Sequence, residues 1–129
     1  MKYLLLLLFC SVKISFAQNF YYPNLNKQGI DIATLTPKKW TVIDTAYGDL
    51  NHDNIQDMAL IFEHNLAITE HRAYGDNETE IIKEFQKPRM LAIYFKDGKG
   101  KYTLALQNNN FILRANEGGE MGEPLKSLK

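Results

Sequence analysis

The feature that most constrains the fold is a polar loop, residues 48–57, set between two apolar segments of strand length. Before the loop, residues 40–47 are rich in β-branched and aromatic side chains, which favours a strand. After it, residues 58–62 form a continuous apolar run, which is typical of a strand buried on both faces. Strands joined by a short loop pair antiparallel, so this region predicts an antiparallel sheet.

Later segments extend that sheet. Residues 89–95 and 102–107 are strand-like, and the Asp-Gly-Lys-Gly sequence at 97–100 predicts the turn of a hairpin between them. Residues 111–114 predict a last short strand, and residues 29–35 a short helical turn. The expected fold is mostly β, a twisted antiparallel sheet of four to five strands.

One charged segment interrupts this pattern. Residues 64–88 contain many acidic and basic side chains and few apolar ones, so we expect a solvated insertion with one helical turn over 78–85. Glu70 is one of its acidic residues. Three others, Glu78, Glu80 and Glu84, predict a solvated face rather than paired catalytic acids, which would need a pocket that shifts their pKa. Residues 117–124 predict a Gly-rich loop, and the lack of a closing element after it predicts a truncated C terminus.

The N-terminal segment has the pattern of a secretory signal peptide. A basic start precedes an apolar run over residues 3–12, and Ser15 and Ala17 are the small residues that precede cleavage. The run is shorter than the roughly 20 residues that span a bilayer, which argues against a membrane anchor. Lipidation on Cys10 needs a small residue before it, and Phe9 is large. We predict cleavage after Ala17, export, and a single β-rich domain over residues 18–129.

The composition excludes several classes of function. The sequence has 15 basic and 15 acidic residues. Cleavage removes Lys2 and Lys13, so the exported chain has a small negative net charge. This charge does not predict a nucleic-acid binder, which normally has a basic excess. The only cysteine, Cys10, is lost as well, and Ser127 is the only remaining serine. Nucleophilic catalysis by serine or cysteine is therefore not expected, and we assign no catalytic residue.

The polar loop carries the one pattern that points to chemistry. Oxygen-bearing side chains fall on alternate residues, Asp49, Asn51 and Asp53, and again at Asp57, while Ile55 offers a backbone carbonyl. Ca²⁺ prefers six to eight such hard oxygen ligands. Carboxylates held this close repel one another without a cation. The pattern predicts one Ca²⁺ site, and a plain turn in which the side chains cap their own backbone is the alternative.

The loop and the strand after it resemble the calcium loops of FG-GAP and VCBS-type repeats, the blades of integrin-like β-propellers. An EF-hand is not indicated, because Leu60 stands where that loop needs a bidentate Glu. The resemblance covers residues 48–62 closely and 89–106 loosely. It implies an exported bacterial protein, a blade-like sheet and a structural Ca²⁺ held by Asp49, Asn51, Asp53 and Asp57 through side chains and by Ile55 through its carbonyl.

Two departures from that family are expected to matter. The family has Gly at the position of Asn54, where the turn needs a left-handed residue, and Asn is the best substitute. The motif occurs here once, whereas a propeller needs about four or more blades. We therefore expect a standalone domain that contains one blade-like unit.

Other conspicuous residues predict packing or solvation. His52, His64 and His71 lack the further ligands that a zinc site needs. The large aromatic side chains along the predicted strands are expected to pack in the core rather than form a ligand platform; they are Trp40, Tyr47, Tyr94 and Tyr102.

Three functions follow from these observations. The first is an exported, non-enzymatic protein in which a structural Ca²⁺ stabilises the loop and helps to present a surface to an unidentified protein or glycan. The second is a metal-free envelope interaction or inhibitor-like module that meets its partner through residues 20–22 or the charged insertion. The third, a hydrolase with a metal-activated water, has only the loop carboxylates to supply its base.

Overall fold

The computed structural model describes residues 20–74, 80–121 and 123–125, and the predicted signal peptide, residues 1–17, lies outside them. The described chain is mostly β, as predicted. The elements in chain order are β1 (Gln28–Gly29), α1 (Ile32–Leu35), β2 (Trp40–Gly48), β3 (Asp57–His64), β4 (Ile68–Tyr74), β5 (Glu80–Gln86), β6 (Arg89–Lys96), β7 (Tyr102–Asn108) and a 3₁₀ helix (Ala115–Met121).

Five strands form the main sheet in the order β1-β7-β6-β3-β2, and every neighbouring pair is antiparallel. The predicted strands over residues 40–47, 58–62, 89–95 and 102–107 are all confirmed. Strand β3 lies between β6 and β2, and most of its residues on both faces are buried, in agreement with its continuous apolar sequence. The β6–β7 turn closes through the backbone N–H of Asp97, which donates to the carbonyl of Lys101 at 2.9 Å.

The main core lies on one face of this sheet. Alternate residues of β3 and β6 point to that face because successive side chains of a strand point to opposite sides. The N-terminal segment and α1 cover them. The buried cluster consists of Leu25, Leu35, Trp40, Met58, Leu60, Phe62, Met90, Ala92 and Tyr94.

Helix α1 confirms the expected helical turn and begins at a capping box. The side chain of Asp31 accepts the backbone N–H of Thr34 at 2.8 Å, and the hydroxyl of Thr34 accepts the backbone N–H of Asp31 at 3.2 Å. The short helix therefore has partners for its first N–H groups and can place Leu35, which is fully buried, against the sheet.

The predicted helical turn over residues 78–85 is wrong wherever the structure describes it. Residues 80–85 belong to β5, which pairs with β4 in a separate two-stranded sheet from Ile68 opposite Gln86 to Tyr74 opposite Glu80. Pairing along the whole segment outweighs the weak local preference for a helix. The insertion is also less solvated than expected, because Glu70 and Gln86 are buried.

The predicted last strand over residues 111–114 is also wrong. The side chain of Asn108 accepts the backbone N–H groups of Asn110 and Phe111 at 2.9 and 2.8 Å, which turns the chain away from β7. Residues 117–121, expected in a loop, lie in the 3₁₀ helix. Arg114 is consequently free to point into the protein, where it is fully buried.

The aromatic predictions have mixed outcomes. Trp40 and Tyr94 are buried, and Tyr102 packs against the core. Tyr47 is instead 53% exposed, on β2 at the edge of the sheet that the described residues form. Within the described residues, no helix has the length and apolar character needed to cross a membrane.

Candidate metal centre

The predicted ligand residues lie together at one end of the main sheet. The loop joins β2 to β3, and its two ends are held together by the pairing of Gly48 with Asp57. Asp49, Asn51 and Asp53 are exposed, whereas Asp57 is fully buried at the start of β3. The site is therefore an open loop built on a rigid base.

The first carboxylate turns back over the loop. One oxygen of Asp49, Oδ1, accepts the backbone N–H of Asp53 at 3.1 Å, and the other, Oδ2, accepts that of Asn54 at 2.9 Å. The side chain of Asp49 thus folds back over the loop while it stays exposed to solvent. Each oxygen keeps a second lone pair after accepting one N–H.

The next two polar side chains continue this arrangement. Oδ1 of Asn51 accepts the backbone N–H of Asp53 at 3.2 Å, and Oδ1 of Asp53 accepts that of Ile55 at 2.8 Å. The amide of Asn51 also donates to Oδ2 of Asp53 at 3.1 Å. Asx-type turns thus follow one another along the loop, and these are the contacts expected of the alternative in which the side chains cap their own backbone.

Asp57 connects the loop to the sheet. Its Oδ2 accepts the backbone N–H of Leu50 at 2.8 Å, and its Oδ1 accepts that of Lys96, at the end of β6, at 2.9 Å. A buried carboxylate needs such partners, because an unsatisfied buried polar group is costly. Asp57 therefore positions the loop against the neighbouring strand whether or not a cation is bound.

Two loop residues adopt the left-handed conformation. Asn54 has a φ of 64°, which confirms the left-handed conformation expected at this position. His52 has a φ of 63°. Asn and His are among the residues that tolerate this region best. The side chain of His52 is exposed, as predicted, so its conformation serves the turn.

The chemistry of the donor set fits a hard cation. The loop and its base offer three carboxylates, one amide oxygen and the carbonyl of Ile55, all oxygen ligands of the kind that Ca²⁺ takes. Among the described residues, no three or more His, Cys, Asp or Glu side chains stand grouped as a ready metal site. Binding at this loop would therefore require its carboxylates to turn their remaining lone pairs toward one centre.

A second polar cluster lies away from the loop, and the sequence analysis missed it. Arg114 is fully buried, and its Nε donates to Oε2 of Glu70 at 3.1 Å while its Nη2 donates to the hydroxyl of Tyr22 at 2.6 Å. The Tyr22 hydroxyl in turn donates to Glu70. Burial, together with the hydrogen bond to Glu70, raises the pKa of Tyr22 above its usual range.

This cluster joins the N-terminal segment, β4 and the C-terminal segment. The remaining N–H groups of Arg114 reach the carbonyls of Ile112 and Asn109, at 2.6 and 2.7 Å. Within the described residues the guanidinium is buried and donates to protein acceptors, an arrangement that holds these segments together. A local signal in the sequence could not have revealed it, since the partners lie far apart along the chain.

Comparison with known proteins adds no relative. No family model, curated protein or solved structure matches this chain.

Proposed function

We propose that the chain is an exported, non-enzymatic protein whose loop, residues 49–57, binds one structural Ca²⁺. The observation that carries this proposal is that Asp49, Asn51 and Asp53 fold back over one short loop, where each accepts a backbone N–H and keeps further lone pairs for a cation. The resemblance to FG-GAP and VCBS-type loops supports it from the sequence. Export rests on the predicted signal peptide alone.

A bound Ca²⁺ would supply charge neutralisation and a fixed loop. The side chains of Asp49, Asn51, Asp53 and Asp57 would hold the ion together with the Ile55 carbonyl. Because Asp57 also accepts the backbone N–H of Lys96, a fixed loop would tighten the contact between the β2–β3 connection and β6. The expected effect is a gain in stability, and the surface so held could meet a protein or glycan partner.

Thermal unfolding of the purified protein, with excess Ca²⁺ and then with a chelator, tests the proposal. At a free Ca²⁺ concentration ten times the dissociation constant, binding to the native state adds about 1.4 kcal/mol. A change of 1 kcal/mol shifts the melting temperature of a domain of similar size by about 4–8 °C. Extracellular sites bind with dissociation constants of about 10⁻⁴–10⁻³ M, so the titration extends to about 10 mM.

Two variants separate binding at the loop from a general effect of salt. Asp53→Ala should abolish the Ca²⁺-dependent shift, since it removes an exposed ligand. Asp97→Asn, which changes an exposed carboxylate in the β6–β7 turn, should keep the shift. A cooperative melt that Ca²⁺ does not move would contradict the proposal and favour the metal-free interaction module.

The structure limits how that alternative module would meet a partner. Phe20 and Tyr22 pack against the core and are partly buried, so each keeps only part of its ring accessible to a partner. Tyr21 and Phe85 are 79% and 68% exposed and would be the aromatic contacts that such a module offers.

A further inference from the structure

A cleft lies on the side of the molecule where the N-terminal segment meets the ends of β3 and β4. Its volume is about 370 Å³, within the range of pockets that hold small molecules. No metal ligand of the loop contributes to it. Its lining consists of Phe20, Tyr21, Pro23, Lys38, Lys39, Trp40, His64, Leu66 and Ile68.

Aromatic rings form one wall of the cleft. The rings of Trp40 and His64 meet edge to face with their centroids 5.1 Å apart, and the ring of Phe20 meets that of His64 in the same manner at 5.2 Å. The closest partner of His64 Nδ1 is the carbonyl of Leu66, at 2.7 Å. Trp40 and His64 are 7% and 8% exposed, so they form the floor of the cleft, while Phe20 and the exposed Tyr21 form its accessible aromatic side.

Two lysines give the cleft its charge. Lys38 and Lys39 both line it, and no acidic residue does. Neither ammonium group forms an ion pair with any residue that the structure describes. Both lysines are exposed, so their charge is accessible to a ligand at the mouth of the cleft.

The backbone that carries these lysines is strained. The residues Pro37 to Trp40 form a turn closed by the Trp40 N–H, which donates to the Pro37 carbonyl at 3.2 Å. Lys39, the third residue of the turn, has a φ of 67°, a position that normally takes Gly or Asn. The Lys39 carbonyl accepts the backbone N–H of Asn65 at 2.8 Å, which anchors the turn to the end of β3. Strained residues of this kind concentrate at binding sites.

We propose that this cleft binds a small organic anion with a planar aromatic body. The aromatic wall would contact the body of the ligand, and Lys38 and Lys39 would pair with its carboxylate or sulfonate. An inorganic anion would use the lysines but leave the aromatic wall exposed, and a cation would meet two like charges. The choice of a lysine at a strained position is then explained by the charge that it brings to the cleft.

Fluorescence of Trp40 tests the proposal, because Trp40 is the only tryptophan of the chain. The probe is 2-naphthoate, titrated into the purified full-length protein, with the neutral 2-naphthylmethanol as its uncharged counterpart and benzoate as a smaller anion. We expect saturable binding of 2-naphthoate with a dissociation constant of about 0.1–1 mM, as the size of the ligand allows. The neutral compound should bind at least about fivefold more weakly than 2-naphthoate. Added salt should reduce this difference in affinity, because it screens the charges of the lysines.

Three variants separate charge from folding. Lys39→Asn keeps a residue that tolerates positive φ, so it should leave the melting temperature unchanged or higher while weakening binding about two- to fivefold. Lys38→Gln should weaken binding to a similar extent, and the double variant about tenfold. Lys27→Gln changes an exposed lysine outside the cleft and should leave binding unchanged.

Several results would overturn the proposal. One is the absence of saturable binding of 2-naphthoate up to about 5 mM by folded protein. Others are equal affinity for the neutral compound, or binding that survives the double lysine variant. Binding that Lys27→Gln weakens as much as Lys39→Asn would point to general surface charge instead of this cleft.

Discussion

Glu70→Gln tests whether the buried ion pair with Arg114 holds the described chain together. The substitution keeps the size of the side chain and removes its charge, so it creates no cavity. The guanidinium of Arg114 is fully buried and loses the carboxylate with which it forms an ion pair among the described residues. Removing one partner of a buried pair costs about 3–5 kcal/mol.

The structure places the expected cost at the lower end of that range. Arg114 keeps its hydrogen bonds to the carbonyls of Ile112 and Asn109 and to the Tyr22 hydroxyl. We expect a loss of about 3 kcal/mol in the free energy of unfolding, measured by urea denaturation. At about 4–8 °C for each kcal/mol, the melting temperature should fall by roughly 12–24 °C.

A matched control is Glu123→Gln. Glu123 pairs with Arg89 through two contacts of 2.7 Å, but its side chain is 45% exposed. Arg89 is buried but keeps its ion pair with Glu63 at 2.8 Å, so the cost should stay below about 1 kcal/mol. If Glu70→Gln costs no more than Glu123→Gln, the argument from burial is refuted.

A double variant, Glu70→Gln with Arg114→Met, should cost less than the sum of the two single changes, because the two side chains form one network.

Two further predictions concern packing and titration. Gly29→Ala should lower the free energy of unfolding by about 1–3 kcal/mol, because its Cβ would lie 2.6 Å from Cδ2 of Leu35. Gly98→Ala, where a Cβ meets nothing within 4 Å, should be close to neutral in the same denaturation series, and equal effects would contradict the steric argument. Burial raises the pKa of Tyr94 to about 12 from its usual 10.0. The native state therefore keeps this proton while the unfolded chain loses it, and stability should fall as the pH rises from about 10 to 12. Urea denaturation at each pH measures this decrease in the free energy of unfolding, and Tyr94→Phe should make the decrease smaller. The control Tyr47→Phe, at an exposed position, should leave it unchanged. If Tyr94→Phe also leaves the decrease unchanged, Tyr94 is not its cause.

Features with a local signal were predictable. The strands of the main sheet follow from β-branched and apolar runs, and the β6–β7 hairpin follows from its Asp-Gly-Lys-Gly turn. The left-handed conformation of Asn54 follows from its place in the loop motif. Each of these depends on residues that are neighbours in the chain, so a short stretch of sequence contains the cause.

The errors arose where distant residues decide the structure. Residues 80–85 form a strand because β4 offers them a partner along their full length. The expected strand at 111–114 is absent because Asn108 ends β7, and Arg114 then reaches Glu70, which lies 44 residues away in the sequence. Glu70 was placed among solvated charges because composition does not reveal a counter-ion from another segment.

The sequence alone determined the β-rich class, the hairpin turn and a loop whose oxygens lie on alternate residues. Only the tertiary structure decided that Asp57 is buried and ties this loop to β6, that Arg114 joins three segments, and that Lys38 and Lys39 lie beside the rings of Trp40 and Phe20. The physical reason is that burial and charge compensation are properties of space. They depend on which segments meet after folding, and the contact between Arg114 and Tyr22 spans 92 residues of the chain.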